Sequence, residues 1–291
     1  MVVQPSVLYI VATPIGNLSD MTPRAVAVLG AVDMIAAEDT RHSRPLLTHF
    51  GIRTPMHSCH AFNEAGKGAF FVQALREGKS VALISDAGTP CISDPGYLLI
   101  RAAADAGFEV VAVCGASAVV AAISVSGFDA SRFSFIGFFP RKKPQMEAQL
   151  QEIIARGEPV VFYESPKRII KTLQFFSTHA ADAQVCLCND LTKKFERTYR
   201  GTPAEVATQL SDNPAAEKGE YACVINPAPA TAAESTASTA TLSLEAQLVE
   251  IMVQQACDLK SAASHLHAQP PKLPKKEIYA ATLRIKKMFG A

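Results

Sequence analysis

Residues 85–96, Ser85-Asp86-Ala87-Gly88-Thr89-Pro90-Cys91-Ile92-Ser93-Asp94-Pro95-Gly96, place carboxylates, hydroxyls, glycines and prolines between an apolar run and a helical one. Gly88 has no Cβ, so a ligand can approach the backbone there. Pro90 and Pro95 fix φ and hold the loop in one shape. Asp86, Thr89, Ser93 and Asp94 offer acceptors and hydroxyls that either brace the loop or grip a polar ligand. Ser93 or Asp94 is read as a cap of the following helix, with Pro95 in its first turn. Similar turn chemistry recurs at Thr13-Pro14-Ile15-Gly16-Asn17, Glu38-Asp39-Thr40-Arg41-His42, Cys114-Gly115-Ala116-Ser117, Glu164-Ser165-Pro166 and Asn189-Asp190-Leu191-Thr192-Lys193.

Each of these loops follows a strand-like run. In open α/β sheets, ligands bind beyond the carboxyl ends of the strands, so the loops together predict one binding cleft. The runs themselves alternate with helices up to residue 226. VLYIVA (7–12), DMIAAE (33–38), 80–85, EVVAV (109–113), FSFIGFF (133–139), PVVFYE (159–164), QVCLCND (184–190), FERTYRG (195–201) and YACVIN (221–226) read as strands. Alternation of this kind predicts an α/β fold with largely parallel sheets covered on both faces. The adjacent runs 184–190 and 195–201 read as an antiparallel pair. The expected divisions are 1–115 and 116–227, two α/β domains, then a linker at 228–243 rich in Ala, Ser, Thr and Pro. A small basic helical appendix at 244–291 follows, with Tyr279, Leu283 and Met288 on or near one face of its last helix.

The chain has 291 residues, 48% of them hydrophobic, and a formal net charge of +1, so overall charge does not announce a nucleic-acid partner. No apolar run is long enough for a membrane span, and the N-terminus lacks a signal-peptide pattern; a soluble, cytoplasmic protein is expected. The seven cysteines form no CxxC pair, which argues against a disulfide framework and against zinc. Cys186 and Cys188 would share one face of a strand. GxGxxG, GxxxxGK[ST] and HExxH are absent at the strand ends, which disfavours nicotinamide, P-loop and zinc-protease chemistry. In the appendix, Lys260, Lys272, Lys275, Lys276, Arg284, Lys286 and Lys287 outnumber Glu245, Glu250, Asp258 and Glu277. That balance suits RNA contact or a solvated basic face.

The segments LYIVATPIGNLSDMTPRAV, AAEDTRHSRPLL, ALISDAGTPCISDPGYLLIRAA, VFYESPKRII and KGEYACVI, in this order, resemble the tetrapyrrole-methylase (class III) S-adenosylmethionine methyltransferases. Within that family they resemble the branch acting on ribosomal RNA. The resemblance implies two α/β domains with S-adenosylmethionine in the cleft between them, and a homodimer. It implies 2′-O-methylation of a cytidine in the decoding region of 16S rRNA, with no metal. It also implies cofactor contacts by Pro14, Asp86, Gly88, Thr89, Pro90, Ile92, Ser117, Ala118, Tyr163, Cys188 and Tyr221. The chain departs from the family pattern at Cys114-Gly115-Ala116, at Ser58-Cys59-His60-Ala61-Phe62-Asn63-Glu64 and at Cys188 to Lys193.

A ribose hydroxyl is a weak nucleophile until its proton leaves, so a general base within reach is expected. The rim offers Glu38, Asp39, His42, His60, Glu64 and Lys193. Glu38, Arg41, His42 and Lys193 are taken as the acid/base and substrate-orienting set. Arg41 and Arg44, three residues apart on one helix, would grip RNA phosphate; for Arg41 the alternative is a pair with Glu38 or Asp39. Arg141, Lys142 and Lys143 are further phosphate candidates. Rival functions are methylation of a small tetrapyrrole or of a protein, and a non-catalytic rRNA-binding assembly factor.

Overall fold

The computed structural model describes residues 3–60, 64–227, 243–255, 257–268 and 274–289. The first half alternates β1 (Val7–Val11), α1 (Pro23–Ala31), β2 (Met34–Ala37), α2 (Thr40–His49), β3 (Met56–Ser58), α3 (Glu64–Arg76), β4 (Val81–Ile84), α4 (Tyr97–Asp105) and β5 (Glu109–Val113). Its sheet runs in the order β3-β2-β4-β1-β5, with every pairing parallel. Strand residues alternate between two cores. Tyr9, Val11, Ile35 and Ile84 meet Ala25, Val28 and Leu29 of α1 on one face. Leu8, Ala36, Val81 and Leu83 meet Phe71 and Leu75 of α3 and Leu99 of α4 on the other. With both faces covered, the strands read as continuous apolar runs. Strand β3 went unread in the sequence because three half-buried edge residues carry no measurable periodicity.

Helix α1 starts as its sequence dictates: Thr22 Oγ1 accepts from the Ala25 amide and Pro23 occupies the first turn. Helix α4 does not. Its N-cap is Gly96 (φ +129°), with no side-chain cap, so neither Ser93 nor Asp94 caps it. Packing decides this. A Cβ at Gly96 would lie 2.7 Å from Leu83 Cδ2 and 2.9 Å from Cys91 Sγ, so the chain turns tightly onto the sheet before the helix begins.

The second half contains α5 (Ala118–Ser126), β6 (Ser134–Phe138), α6 (Lys143–Arg156), β7 (Val160–Glu164), α7 (Ile169–His179), β8 (Gln184–Asn189), β9 (Arg197–Gly201), α8 (Pro203–Ser211) and β10 (Tyr221–Asn226). The sheet order is β6-β7-β10-β8-β9. Only β6–β7 is parallel; β10 runs antiparallel to both β7 and β8, and β8 to β9. The expectation of a largely parallel sheet is therefore corrected for this half. The β8–β9 connection is too short for a parallel crossover, and the last strand inserts between two earlier ones. Phe162, Leu187 and Cys223 pack with Phe176 and Leu173 of α7 on one face. Cys186, Cys188 and Val224 pack with Val119 and Ile123 of α5 on the other. No disulfide joins any of the seven cysteines among the described residues.

Met1–Pro229 form one compact unit that contains both sheets, and the 115/116 boundary falls in the loop between β5 and α5. Ala230–Ala291 form a second unit. The linker read at 228–243 lies, apart from Ser243, outside the described residues. The second unit contains α9 (Leu244–Gln255), α10 (Leu259–Ala268) and α11 (Lys275–Phe289), closed around Leu248, Ile251, Leu266, Ile278 and Ile285. Tyr279 (65% exposed) and Leu283 (49%) therefore sit on the outward face of α11, opposite its buried stripe; the Met288 side chain lies outside the described ones.

Candidate active site

Backbone bonds stitch the loops after β1, β4 and β5 together. Thr13 and Gly88 exchange N–H···O bonds of 2.9 and 3.0 Å, and the Thr89 hydroxyl donates to the Ala116 carbonyl at 3.1 Å. Gly88 is left-handed (φ +78°), and a Cβ there would meet Ile15 Cγ2 at 3.3 Å. Cys91 and Ser93 are also left-handed, both at φ +70°. Backbone this strained in non-glycine residues persists only where its surroundings over-determine it, and it collects at binding sites.

These loops face the second sheet across a cavity of about 370 Å³. From the first half it is lined by Ile15, Ala87–Thr89 and Ile92–Asp94, and at the junction of the halves by Ser117 and Ala118. From the second half come Phe138, Tyr163–Pro166, Cys188, Leu191 and Glu220–Ala222. Of the residues expected at a cofactor, Gly88, Thr89, Ile92, Ser117, Ala118, Tyr163, Cys188 and Tyr221 line it. Pro14, Asp86 and Pro90 do not; Pro14 and Pro90 are buried behind it. Asp86 braces the loop instead: its carboxylate accepts from the Asp39 amide at 3.1 Å, and its own amide donates to Glu38 Oε2 at 3.3 Å. Ile15, Ser93, Asp94 and Leu191 belong to loops read as the cleft rim but were not named as cofactor contacts; Phe138 and Glu220 were not singled out at all. One signal for Phe138 was present in the sequence. Gly137 within FSFIGFF is left-handed (φ +68°) and the β6–β7 register shifts there. A glycine inside a strand marks such an irregularity.

The cavity lining contains the carboxylates Asp94, Glu164 and Glu220, and no lysine or arginine among the described residues. Glu164 is bound on all sides: the Ser165 amide donates at 2.7 Å, the Thr172 hydroxyl at 2.8 Å, and Arg168 pairs with it at 3.2 Å. Glu220 pairs with Lys193 at 2.7 Å. Asp94 has no ion pair among the described residues. Burial, then the charges of Glu38 and Asp86, push its carboxyl up to about 6, against the pull of the neighbouring Ser85 hydroxyl. Burial also raises Glu38. Tyr163, across the cavity, is pushed up to about 12 by burial and by the charges of Asp94 and Glu220. The hydrogen bond with Cys186, and then burial, raise the Cys188 thiol too, which disfavours its thiolate.

Glu38, Arg41, His42 and Lys193 do not line this cavity. Arg41 takes the alternative open to it, with its guanidinium on Asp39 at 3.2 and 3.0 Å. The hydrogen bonds from Arg41 hold the Asp39 carboxyl down at about 2. Arg44, Arg141 and Lys142 are exposed, and Lys143 approaches Glu147 at 3.8 Å. The Glu64 side chain lies outside the described ones. Lys193 bridges the two halves. Its ammonium holds Asp190 (3.2 Å) and Glu220 (2.7 Å), and its stem lies over Gly16, where a Cβ would collide with it. Burial opposes its charge, and the two carboxylates more than offset that, so its pKa is raised.

A second hollow of about 480 Å³ shares Ile15 and Ser117 with the first and is bordered by Asp20 and Thr192. Thr192 is β-branched at φ +67°, and its buried hydroxyl has no hydrogen-bond partner among the described residues. Thr192→Gly is expected to stabilise the chain by about 1 kcal/mol, because it relieves left-handed strain and removes an unsatisfied hydroxyl. Denaturant unfolding checks this, and a lowered midpoint would contradict it.

Residues 7–207 match the family described as Tetrapyrrole (Corrin/Porphyrin) Methylases. The chain is 41% identical, over 94% of its length and 98% of the relative's, to the protein named ribosomal RNA small subunit methyltransferase I in Xylella fastidiosa (strain Temecula1). It is 40% identical, over 96% of its length and 98% of the relative's, to the protein of that name in Synechocystis sp.. Among solved structures it resembles diphthine synthase (TM-score 0.57, 10% identity, 75% of this chain and 89% of that one). It also resembles cobalt precorrin-4 methyltransferase (TM-score 0.55, 16% identity, 75% and 94%). At these identities the structural likeness concerns the fold alone.

Proposed function

The chain belongs to the tetrapyrrole methylase family, and from that premise we propose that it transfers a methyl group from S-adenosylmethionine to the 2′-hydroxyl of a cytidine in the decoding region of 16S ribosomal RNA. S-adenosylmethionine is the donor of this family, and the cavity fits it. Carboxylates without a lining cation suit a ligand that carries a sulfonium and an ammonium group. Ile15, Ile92, Phe138 and Leu191 supply apolar wall for a nucleoside, and the bare Cα of Gly88 leaves room at the backbone. When bound, the cofactor supplies an electrophilic methyl group, so the protein's work is positioning.

The stitched loops after β1, β4 and β5, with Pro14, Asp86 and Pro90 behind them, hold one wall rigid. Tyr163, Cys188 and Tyr221 form the other, and the Tyr221 hydroxyl is turned away onto the Ala216 carbonyl at 2.8 Å. Lys193 clasps the halves and, with Arg41, orients the acceptor from the rim. Glu38 and His42 set the charge behind the Ser85–Gly96 loop. Arg44, Arg141, Lys142 and Lys143 contact phosphates, and the basic appendix is itself suited to phosphate contact. The protein works as a homodimer in the cytoplasm, where its substrate is assembled. Among the described residues no helix is long and apolar enough to cross a membrane.

The observation that carries the choice of acceptor is the span of the relatives named for ribosomal RNA methylation. They align over both units of the chain, appendix included, at 40–41% identity. Mass spectrometry of nucleosides from 16S rRNA tests the proposal. A strain lacking this protein should lose one 2′-O-methylcytidine and regain it on complementation. An unchanged nucleoside profile would turn attention to a tetrapyrrole or protein acceptor.

A further inference from the structure

Any hydroxyl acceptor must lose a proton as it is methylated, and the acceptor of that proton has to reach into the cavity. Glu164 is fully engaged by the Ser165 amide, Thr172 and Arg168, and Glu220 by Lys193. Asp94 is the lining carboxylate that no cation claims among the described residues. It lies between left-handed Ser93 and Gly96, in a loop also fixed by Pro90 and Pro95. Because Gly96 rather than Asp94 caps α4, the Asp94 carboxylate is not spent on a helix terminus.

Resting on the ribose-methylation reading above, we infer that Asp94 is the general base, taking the proton of the acceptor 2′-hydroxyl. The O2′–H bond breaks and the proton passes to an Asp94 oxygen. O2′ uses the freed electron pair to bond the methyl carbon, while the carbon–sulfur bond breaks with its pair left on sulfur. The proton then leaves Asp94 for water. Glu38 at the end of β2, Asp86 on the same loop as Asp94, and Tyr163 on β7 are the titratable groups that face it, with the Ser85 hydroxyl beside it. His42 on α2 acts on Glu38. Two carboxylates behind a half-buried third keep it a stronger base than an exposed aspartate. At about 6, Asp94 is largely ionised at neutral pH and still close to it, which suits a base.

Three measurements test this. First, Asp94→Asn should lower kcat on its RNA substrate roughly 100-fold or more at saturating S-adenosylmethionine, a loss far larger than any it causes in cofactor affinity by calorimetry. Second, the acid limb of the wild-type pH–rate profile should lie near 6, and Glu38→Gln, which keeps Asp94 but removes a neighbouring charge, should move that limb to lower pH. Third, stability reports without activity. The folded-state pKa lies above the unfolded one, so the ionised carboxylate destabilises the fold above pH 6 and that cost fades as pH falls toward 4. Asp94→Asn should therefore melt higher than wild type at pH 8, with the gain shrinking toward pH 4; a merely structural aspartate would melt lower. Near-wild-type kcat in Asp94→Asn, or an unmoved limb in Glu38→Gln, would overturn the inference while leaving the reaction standing. A wild-type protein that binds cofactor but methylates no RNA would overturn the reading and this inference with it.

Discussion

Gly88→Val is expected to weaken S-adenosylmethionine binding roughly 100-fold, a loss of about 2.7 kcal/mol, while the chain still folds. Gly88 sits at φ +78°, where L side chains are strained, and a β-branched residue is the worst case. The backbone cannot relax by rotating, because Gly88 both donates to and accepts from Thr13 (3.0 and 2.9 Å). A Cβ already meets Ile15 Cγ2 at 3.3 Å, so valine's methyl groups must crowd Ile15 or enter the cavity. The loops after β1, β4 and β5 are bonded to one another, so a shift at Gly88 is passed to Thr89 and to its bond with Ala116. Gly88→Ala should fall between valine and wild type. Calorimetric titration of the cofactor checks the series, with circular dichroism to confirm folding. Valine affinity within threefold of wild type would contradict the placement of the cofactor.

Arg168→Leu is expected to cost about 3 kcal/mol of stability, among the larger effects a single substitution can have in this chain. Glu164 has no solvent exposure in its side chain, and Arg168 is its only cation among the described residues. Arg168 also donates to the Phe139 and Pro140 carbonyls, at 3.2 and 2.6 Å, and so ties the end of β6 to the start of α7. Leucine leaves the carboxylate buried with only the Ser165 amide and the Thr172 hydroxyl, and leaves the two carbonyls without this donor. Arg168 is 23% exposed, so water repays part of the loss; this keeps the figure at the lower end for a broken buried pair. Replacing Glu164 with leucine as well should recover part of the stability, since it removes the uncompensated charge but leaves the Ser165 amide and the Thr172 hydroxyl without that acceptor. Denaturant unfolding measures both variants. A cost below about 1 kcal/mol for Arg168→Leu would mean that the pair is solvated and Glu164 is not held as described.

Four of the first sheet's five strands were legible in the sequence because buried parallel strands are unbroken apolar runs, and Val81–Ile84 or Met34–Ala37 can hardly be read otherwise; edge strand β3 was the exception. In the second sheet the antiparallel β8–β9 pair was legible from the adjacency of its two runs, but the rest of the pairing was not. Nothing local to Tyr221–Asn226 says that it will insert between β7 and β8. Among site residues, the loops announced themselves through Gly88, Pro90 and Pro95, whose backbone roles belong to residue type alone. Asp94 was misread for a physical reason. Ser-Asp-Pro before a helical run is a capping pattern, and its use as a cap was lost to a tertiary contact, the packing of Gly96 on Leu83 and Cys91. Arg41 shows the reverse: its pair with Asp39 two residues away is local, and proximity in sequence was enough to offer a pair with Glu38 or Asp39 as the alternative to phosphate contact.

The most direct test of the central claim is transfer of labelled methyl from S-adenosylmethionine to 30S subunits and, separately, to deproteinised 16S rRNA, both from a strain lacking this protein. Digestion of the product then identifies the nucleoside. The account predicts label in a single nucleoside, 2′-O-methylcytidine. Label on a base, or no label in either RNA from protein that binds the cofactor, would contradict it.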